Sequence, residues 1–194
     1  MSTLDELYNE FRETTDSSTD IFKGRVLHVV KDDITLPNGR KSVREVIRHK
    51  GAVCVVPVTD DGKVVIVKQY RYPFDRVLVE IPAGKLDSVD EIPLDAAKRE
   101  LKEETGAVAD SIEYLGEYYG SPAILDEKIY MYLARGLHFG EQKLDEDEFV
   151  ETESIPMEKL CSMILRGEVP DGKTQAAVLR AAVMLGKTPC ADKA

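Results

Sequence analysis

The chain has no tryptophan, only three cysteines and three histidines among its 194 residues, and nowhere do eighteen apolar residues run together. Each shortage closes off a class. Cys54, Cys161 and Cys190 lie far apart and form no CxxC pair, so neither a structural zinc site nor a disulfide framework is indicated. His28, His49 and His138 share no metal-ligand spacing and read as structural or surface residues. Cys54 falls in an apolar strand run, where it is expected as a small core residue. Without a long apolar run no membrane-spanning helix is predicted, and the acidic start MSTLDELYNEF lacks the apolar stretch of a secretory leader, so a cytoplasmic location is expected. Positive charge is scarce as well. Against 26 Lys and Arg stand 36 Asp and Glu, a net charge of -10, which argues against nucleic acid and against anionic membrane surfaces as partners. An acidic protein that handles phosphates must do so locally, through metal ions and a few placed arginines.

A chain of this length supports one substantial domain, or one domain with a small appendage, burying roughly 70% of its unfolded surface. Residues 1 to about 20 read as a short helix followed by a linker, TTDSSTD, with no periodicity that demands burial. GRVLHVVKDDITL and KSVREVIRH flank Pro37-Asn38-Gly39-Arg40, which predicts an antiparallel hairpin. GAVCVVP and KVVIVKQ flank Asp60-Asp61-Gly62 and are apolar enough for central strands. Further strands are expected at Ile112–Gly116 and Ile129–Ala134, and helices at Pro156–Arg166 and Thr174–Leu185, the latter after a turn at Pro170-Asp171-Gly172. The pattern is that of a mixed α/β sheet between helices.

The most informative segment is GKLDSVDEIPLDAAKRELKEETGA, Gly84 to Ala107. At about 3.6 residues per turn, Glu100, Glu103 and Glu104 share one helical face, with Glu100 and Glu104 one turn apart. Bare like charges at that spacing repel. Gathered beside Arg99, they call for a hard cation with a preference for oxygen, magnesium or manganese. Pro93 suits the first turn, Leu94, Ala97 and Leu101 form an apolar stripe, and Gly106 stands where a left-handed cap ends a helix. Taken alone, the acidic residues would be an ordinary solvated face. In register with Gly84, Arg99 and Gly106 they form a pattern far more specific than a pair of charges.

That pattern resembles the Nudix box: glycine, a loop, a glutamate, seven residues, then Arg-Glu-apolar-x-Glu-Glu-x-Gly-apolar, here Gly84, Glu91, Arg99, Glu100, Leu101, Glu103, Glu104, Gly106 and Ala107. The family usually has five residues between its glycine and first glutamate, whereas six separate Gly84 from Glu91, so Asp90 takes the usual register. The resemblance implies a Nudix-type α/β/α sandwich with a mixed sheet and a small N-terminal antiparallel strand appendage. It divides the chain into residues 1–47, the appendage and a dimerisation element, and 48–194, the hydrolase domain. Val79-Glu80-Ile81-Pro82-Ala83-Gly84, Gln69-Tyr70-Arg71, Arg48-His49-Lys50-Gly51 and Ser121-Pro122 look like the ADP-ribose pyrophosphatase subgroup. Pro122 follows Gly106 by sixteen residues, as the subgroup's proline does, although Ala123 replaces the glycine often found next.

What the resemblance implies is metal-dependent hydrolysis of a nucleoside diphosphate sugar, with ADP-ribose giving AMP and ribose 5-phosphate, in a homodimer. By the same resemblance Glu100 and Glu104, with the Ala83 carbonyl, would hold Mg2+ or Mn2+, and Glu103 would be a further ligand or hold water. Glu146 would be the general base and Glu148 an added ligand in the acidic run Glu141 to Glu153. Arg99 would orient the glutamates by salt bridge, Arg71 would clamp phosphate, and Glu80 would tether substrate or hold Arg71. Ser121 and Pro122 would line the substrate pocket. Tyr118, Tyr119 and Phe22 are candidates for stacking on a base, against the commoner role of core aromatics. ADP-glucose, GDP-mannose, NADH or a flavin dinucleotide are alternative substrates. A non-catalytic ADP-ribose-binding module is the alternative from another class, disfavoured by the intact glutamates.

Overall fold

The computed structural model describes residues 3–144 and 148–187. The chain divides into two compact units, one formed by residues 1–49 with 121–127, the other by residues 50–120 with 128–194.

The first unit opens with α1 (Leu4–Phe11), capped by Thr3 in a reciprocal box with Glu6. Its sheet is antiparallel, in the order β1 (Thr14–Lys23), β2 (His28–Thr35), β3 (Lys41–Arg48). The predicted hairpin is β2–β3. Its turn closes through Gly39 N–H to the Leu36 carbonyl at 2.9 Å, with Gly39 at φ 79°, a conformation open to glycine at no steric cost. The expected linker TTDSSTD is instead most of β1, and the reason it reads as a linker is visible. Every residue of β1 is exposed, so no apolar alternation marks it. It is held by the β2 ladder and by polar pairs, Ser18 Oγ donating to Asp32 at 2.5 Å and Thr35 Oγ1 to Asp16 at 2.9 Å. The loop 121–127 belongs with this unit, tied to β3 by Ile47 N–H to the Ile124 carbonyl at 2.7 Å and by His49 N–H to the Asp126 carboxylate at 2.6 Å.

The second unit is an α/β/α sandwich on a mixed seven-stranded sheet. β4 (Ala52–Val58) is buried along its whole length and pairs in parallel with β9 (Ile129–Phe139), which pairs antiparallel with β8 (Ala107–Tyr118). β8 is longer than Ile112–Gly116 because its outer residues alternate with exposed ones and carry little apolar signal. β5 (Lys63–Arg71) pairs with β4 where Val64 meets Val58 and with β6 (Arg76–Glu80) from Val67 onward, while β10 (Val150–Pro156) pairs with it from Lys63 to Gln69. The gap beside β4 is filled by β7 (Ala83–Lys85), which sets Ala83 opposite Cys54 and Gly84 opposite Val53. β10 takes up the end of the acidic run Glu141 to Glu153. Its outward Glu151 and Glu153 form ion pairs with Lys68 of β5 at 3.1 and 2.9 Å.

Alternating side chains of β4 face two cores. Val53 and Val55 pack with Leu86, Ala96, Ala97, Leu101 and Tyr132 under α2 (Pro93–Thr105). Cys54 and Val56 pack on the other side with Ile66, Ile81 and Met131 under α3 (Met157–Leu165) and α4 (Gly172–Met184). Ala96 joins Ala97 and Leu101 in the fully buried stripe of α2, whereas Leu94 is half-buried at its edge. No helix among the described residues is long and apolar enough to cross a membrane.

Candidate active site

Helix α2 starts at Pro93, whose missing N–H costs nothing in a first turn, and ends at Gly106, φ 70°, whose N–H returns to the Lys102 carbonyl at 2.9 Å. With its apolar stripe committed to the sheet, the carboxylate face is fixed toward β7. Arg99 is the hub of that face. Its Nη1 donates to Glu100 at 2.6 Å and to Glu103 at 3.1 Å, and Nη2 donates to the Lys85 carbonyl at 3.2 Å and to Glu91 at 3.4 Å. Partial burial opposes the guanidinium charge, but Glu100, Asp87 and Glu103 outweigh it and raise the pKa of Arg99. Glu91, one place past the usual register, accepts from Asp87 N–H at 2.6 Å while meeting Arg99, so the longer loop still returns a carboxylate to the arginine.

Glu100 and Glu104 lie deeper. Burial pushes the Glu100 carboxyl up, against the pull of Arg99, and the charges of Glu103 and Glu148 add to the rise. Glu104 is 3% exposed and goes further, pushed up to about 8 by burial and by Glu100 and Glu148, with relief only from the Ala83 N–H at 3.1 Å and the charge of Lys173. The cradle is shaped by Gly84, where an added Cβ would overlap the Glu100 carboxylate. Ala83 is thus placed beside Glu104 through its N–H. Glu148 is half-buried and acts electrostatically on both glutamates, while Glu146 lies outside the described residues.

Among the described residues no three His, Cys, Asp or Glu side chains form a ready ligand set, since Arg99 draws Glu100 and Glu103 to itself. The donor chemistry nonetheless fits a hard divalent cation: buried oxygen donors, a glycine cradle, and a carboxyl whose pKa is raised by burial and by its neighbouring carboxylates. The chain entering the acidic segment is moored at the end of α2. Gly140 N–H donates to the Gly106 carbonyl at 2.8 Å, Lys143 N–H to the Glu103 carbonyl at 3.0 Å, and the Gln142 amide to the Glu104 carbonyl. Gln142 and Lys143 carried no sequence signal, because their partners lie some forty positions back.

A second buried carboxylate, Glu80 at the end of β6, is 2% exposed. Arg71 holds it bidentately, Nε at 2.6 Å and Nη2 at 2.7 Å, and Lys173 Nζ donates to the same carboxylate. Burial would raise the pKa of Glu80, but these two cations outweigh it and lower it. Lys173 also donates to Asp171 at 3.0 Å, and Asp171 caps α4 by accepting from Thr174 N–H at 2.9 Å. Burial works against the Lys173 charge, yet Glu80 and Asp171 raise its pKa. Glu80 thus makes the contact with Arg71 that was one of the two roles expected of it. Lys173 was missed as a site residue. The only hint was its place just after the Pro170-Asp171-Gly172 turn, and its partner is 93 positions away. Beside this network a cavity of about 210 Å³ is lined by Phe74, Arg76, Leu78, Pro170, Asp171 and Gly172.

Ser121 and Pro122 are exposed and belong to the first unit. Tyr118 is half-buried against the core of the second unit, while Tyr119 and Phe22 are exposed. Cys54 is fully buried, which pushes its thiol up to about 12 and leaves it inert. His28 and His138 pair with Asp20 and Asp110 on the surface.

Residues 48–178 match the NUDIX domain and residues 13–47 the nucleoside diphosphate sugar hydrolase N-terminal domain. The chain is 44% identical over 168 residues to an ADP-ribose pyrophosphatase of Bacillus subtilis, covering 86% of this chain and 90% of that protein. It is 43% identical over 170 residues to a methanol dehydrogenase activator of Bacillus methanolicus, covering 87% and 91%. A crystal structure of an ADP compounds hydrolase shares the fold with a TM-score of 0.79 at 22% identity, over 91% of this chain and 97% of that one. With the box on α2, the sandwich behind it and two thirds of the chain matched, the protein belongs to the Nudix family of hydrolases.

Proposed function

We propose that the protein hydrolyses the pyrophosphate bond of ADP-ribose, taking up one water to release AMP and ribose 5-phosphate, with Mg2+ held by Glu100, Glu104 and the Ala83 carbonyl and assisted by Glu103 and Glu148. The observation that carries the reading is Glu104, a buried carboxylate beside Glu100 whose side chain accepts, among the described residues, a single hydrogen bond, from the Ala83 N–H. A divalent cation bound there would neutralise the pyrophosphate and acidify a water. Arg99 keeps Glu100 and Glu103 oriented, and Arg71 would meet the diphosphate with the guanidinium edge that Glu80 leaves open. Glu146, as base, would take the proton from the attacking water. The substrate itself is taken from the resemblance and from the 44% identical relative's name. Ser121 and Pro122 enter as substrate contacts on the resemblance alone. Strand β1, exposed along its whole length, supports a homodimer in which the N-terminal sheet is covered by a second copy.

The test is release of AMP from ADP-ribose, with ADP-glucose, GDP-mannose and NADH alongside, in magnesium, in manganese and in EDTA. Metal-dependent turnover that favours ADP-ribose is expected. Preference for another diphosphate would keep the chemistry and discard the substrate, and no turnover of any would bring the binding-module reading forward.

A further inference from the structure

The chain joining Glu80 to Ala83 supplies the N–H that holds Glu104, so whatever fixes Glu80 also fixes one wall of the candidate site. Two residues at the start of α4 do so. Thr174, fully buried, accepts from Ile81 N–H at 3.0 Å while its hydroxyl donates to Asp171 at 2.5 Å. Lys173 binds Glu80 on Oε2, the oxygen that also receives Arg71 Nη2. Among the described residues no buried side-chain polar atom is left without a partner, so the buried part of the network is fully paired.

Arg71 and Glu80 already neutralise each other, and Lys173 and Asp171 do the same. The second pair therefore adds no net charge. What it adds is a third anchor on a carboxylate that could otherwise turn with its arginine. Buried ion pairs are poor stabilisers because desolvation offsets their attraction, so a fixed geometry is the stronger reason to retain one. Nη1 of Arg71 makes no hydrogen bond among the described residues, and it is the edge available to a phosphate oxygen.

We infer that Lys173, braced by Asp171, is a positioning residue that locks Glu80 and through it presents Arg71 to the diphosphate of the substrate; this rests on the hydrolase reading above. The experiment is a mutant cycle on ADP-ribose in Mg2+ with the wild type, Arg71→Met, the charge-neutral pair Lys173→Gln with Asp171→Asn, and all three changes together. Asn still caps a helix, so the pair is chosen to fold. The pair is expected to raise KM about tenfold with kcat changed less than about twofold, and to add nothing to Arg71→Met, because the two act through one guanidinium. Losses that multiply, or a KM like that of the wild type, overturn the role. If the pair does not fold, Lys173→Arg, which keeps the charge and shifts the donors, is read in the same cycle. A wild type that turns over none of the diphosphates overturns the hydrolase reading and this role with it, whereas an active wild type with an indifferent pair overturns this role alone.

Discussion

Glu80 and Glu104 are nearly equally buried, at 2% and 3% exposure, and their pKa values move in opposite directions. Both lose the same hydration. Glu80 is repaid by Arg71 and Lys173, two cations of the protein itself. Glu104 has a backbone N–H, a neighbouring carboxylate and the charge of Glu148, and its pKa rises to about 8. The difference separates a carboxylate compensated within the chain from one that is not, and the proposed function puts a cation beside the second. Perturbed groups gather at functional sites, and the cause of the perturbation tells which kind of group each is.

The comparison is broken most severely by Glu80→Gln. Removing this charge leaves Arg71 without its carboxylate and Lys173 with Asp171 alone, and breaking a pair of which Glu80 is the buried member costs up to about 3–5 kcal/mol, less what solvent recovers at the part-exposed Arg71. For a chain of this size that lowers Tm by on the order of 10 °C, measured by calorimetry in EDTA and again in Mg2+. An unchanged Tm would show that the network is not the neutralising device described.

Glu104→Gln should do the reverse. It removes no internal partner, so metal-free Tm is expected to hold or rise. Turnover should fall about 100-fold or more, roughly 3 kcal/mol, and the rise in Tm caused by Mg2+ should vanish. A variant that keeps full magnesium-dependent activity would remove Glu104 from the metal site. Gly84→Ala sharpens the point at smaller cost. The three atoms nearest the new methyl all belong to the far end of the Glu100 side chain, which can swing aside, so the fold should survive while the carboxylate is displaced. A loss of about tenfold in kcat/KM with little change in Tm is expected, of order 1.4 kcal/mol; equal activity would mean that the Glu100 position is not critical.

How much of this could be read from the chain follows the range of the interactions. The carboxylate face of α2 was legible because one helix writes it within six residues, Arg99 to Glu104, and proline and glycine mark its ends. The β2–β3 hairpin was legible from Pro37-Asn38-Gly39-Arg40 for the same local reason. β1 and β10 were not, since each is a strand whose exposed acids, hydroxyls and threonines satisfy no apolar alternation and whose existence depends on a ladder to a distant partner. Lys173 was invisible because its meaning is supplied by Glu80 across a whole domain. Glu104 could be placed on the carboxylate face from its spacing, but its burial, and hence its missing countercharge, required β7 to be seen beside it.

The smallest effect tests the signs of the two shifts together. Glu80, lowered in the folded state, contributes stability that is present above the usual carboxylate range and is lost as pH falls through its folded pKa. Glu104 is raised, so without metal the folded chain binds its proton more tightly than the unfolded chain does. Its contribution is present below the unfolded carboxylate pKa, near 4.5, and is lost as pH climbs toward about 8. Between pH 5 and 8, therefore, the EDTA-treated wild type should lose a few degrees of Tm, on the order of 2–4 °C for each kcal/mol, relative to Glu104→Gln, whose amide does not titrate. Below pH 5 the two should fall together, because Glu80 is common to both. Magnesium should erase the divergence by supplying the charge that Glu104 lacks. Parallel curves across the whole range in EDTA would mean that Glu104 is already neutralised within the chain, and the contrast with Glu80 would collapse.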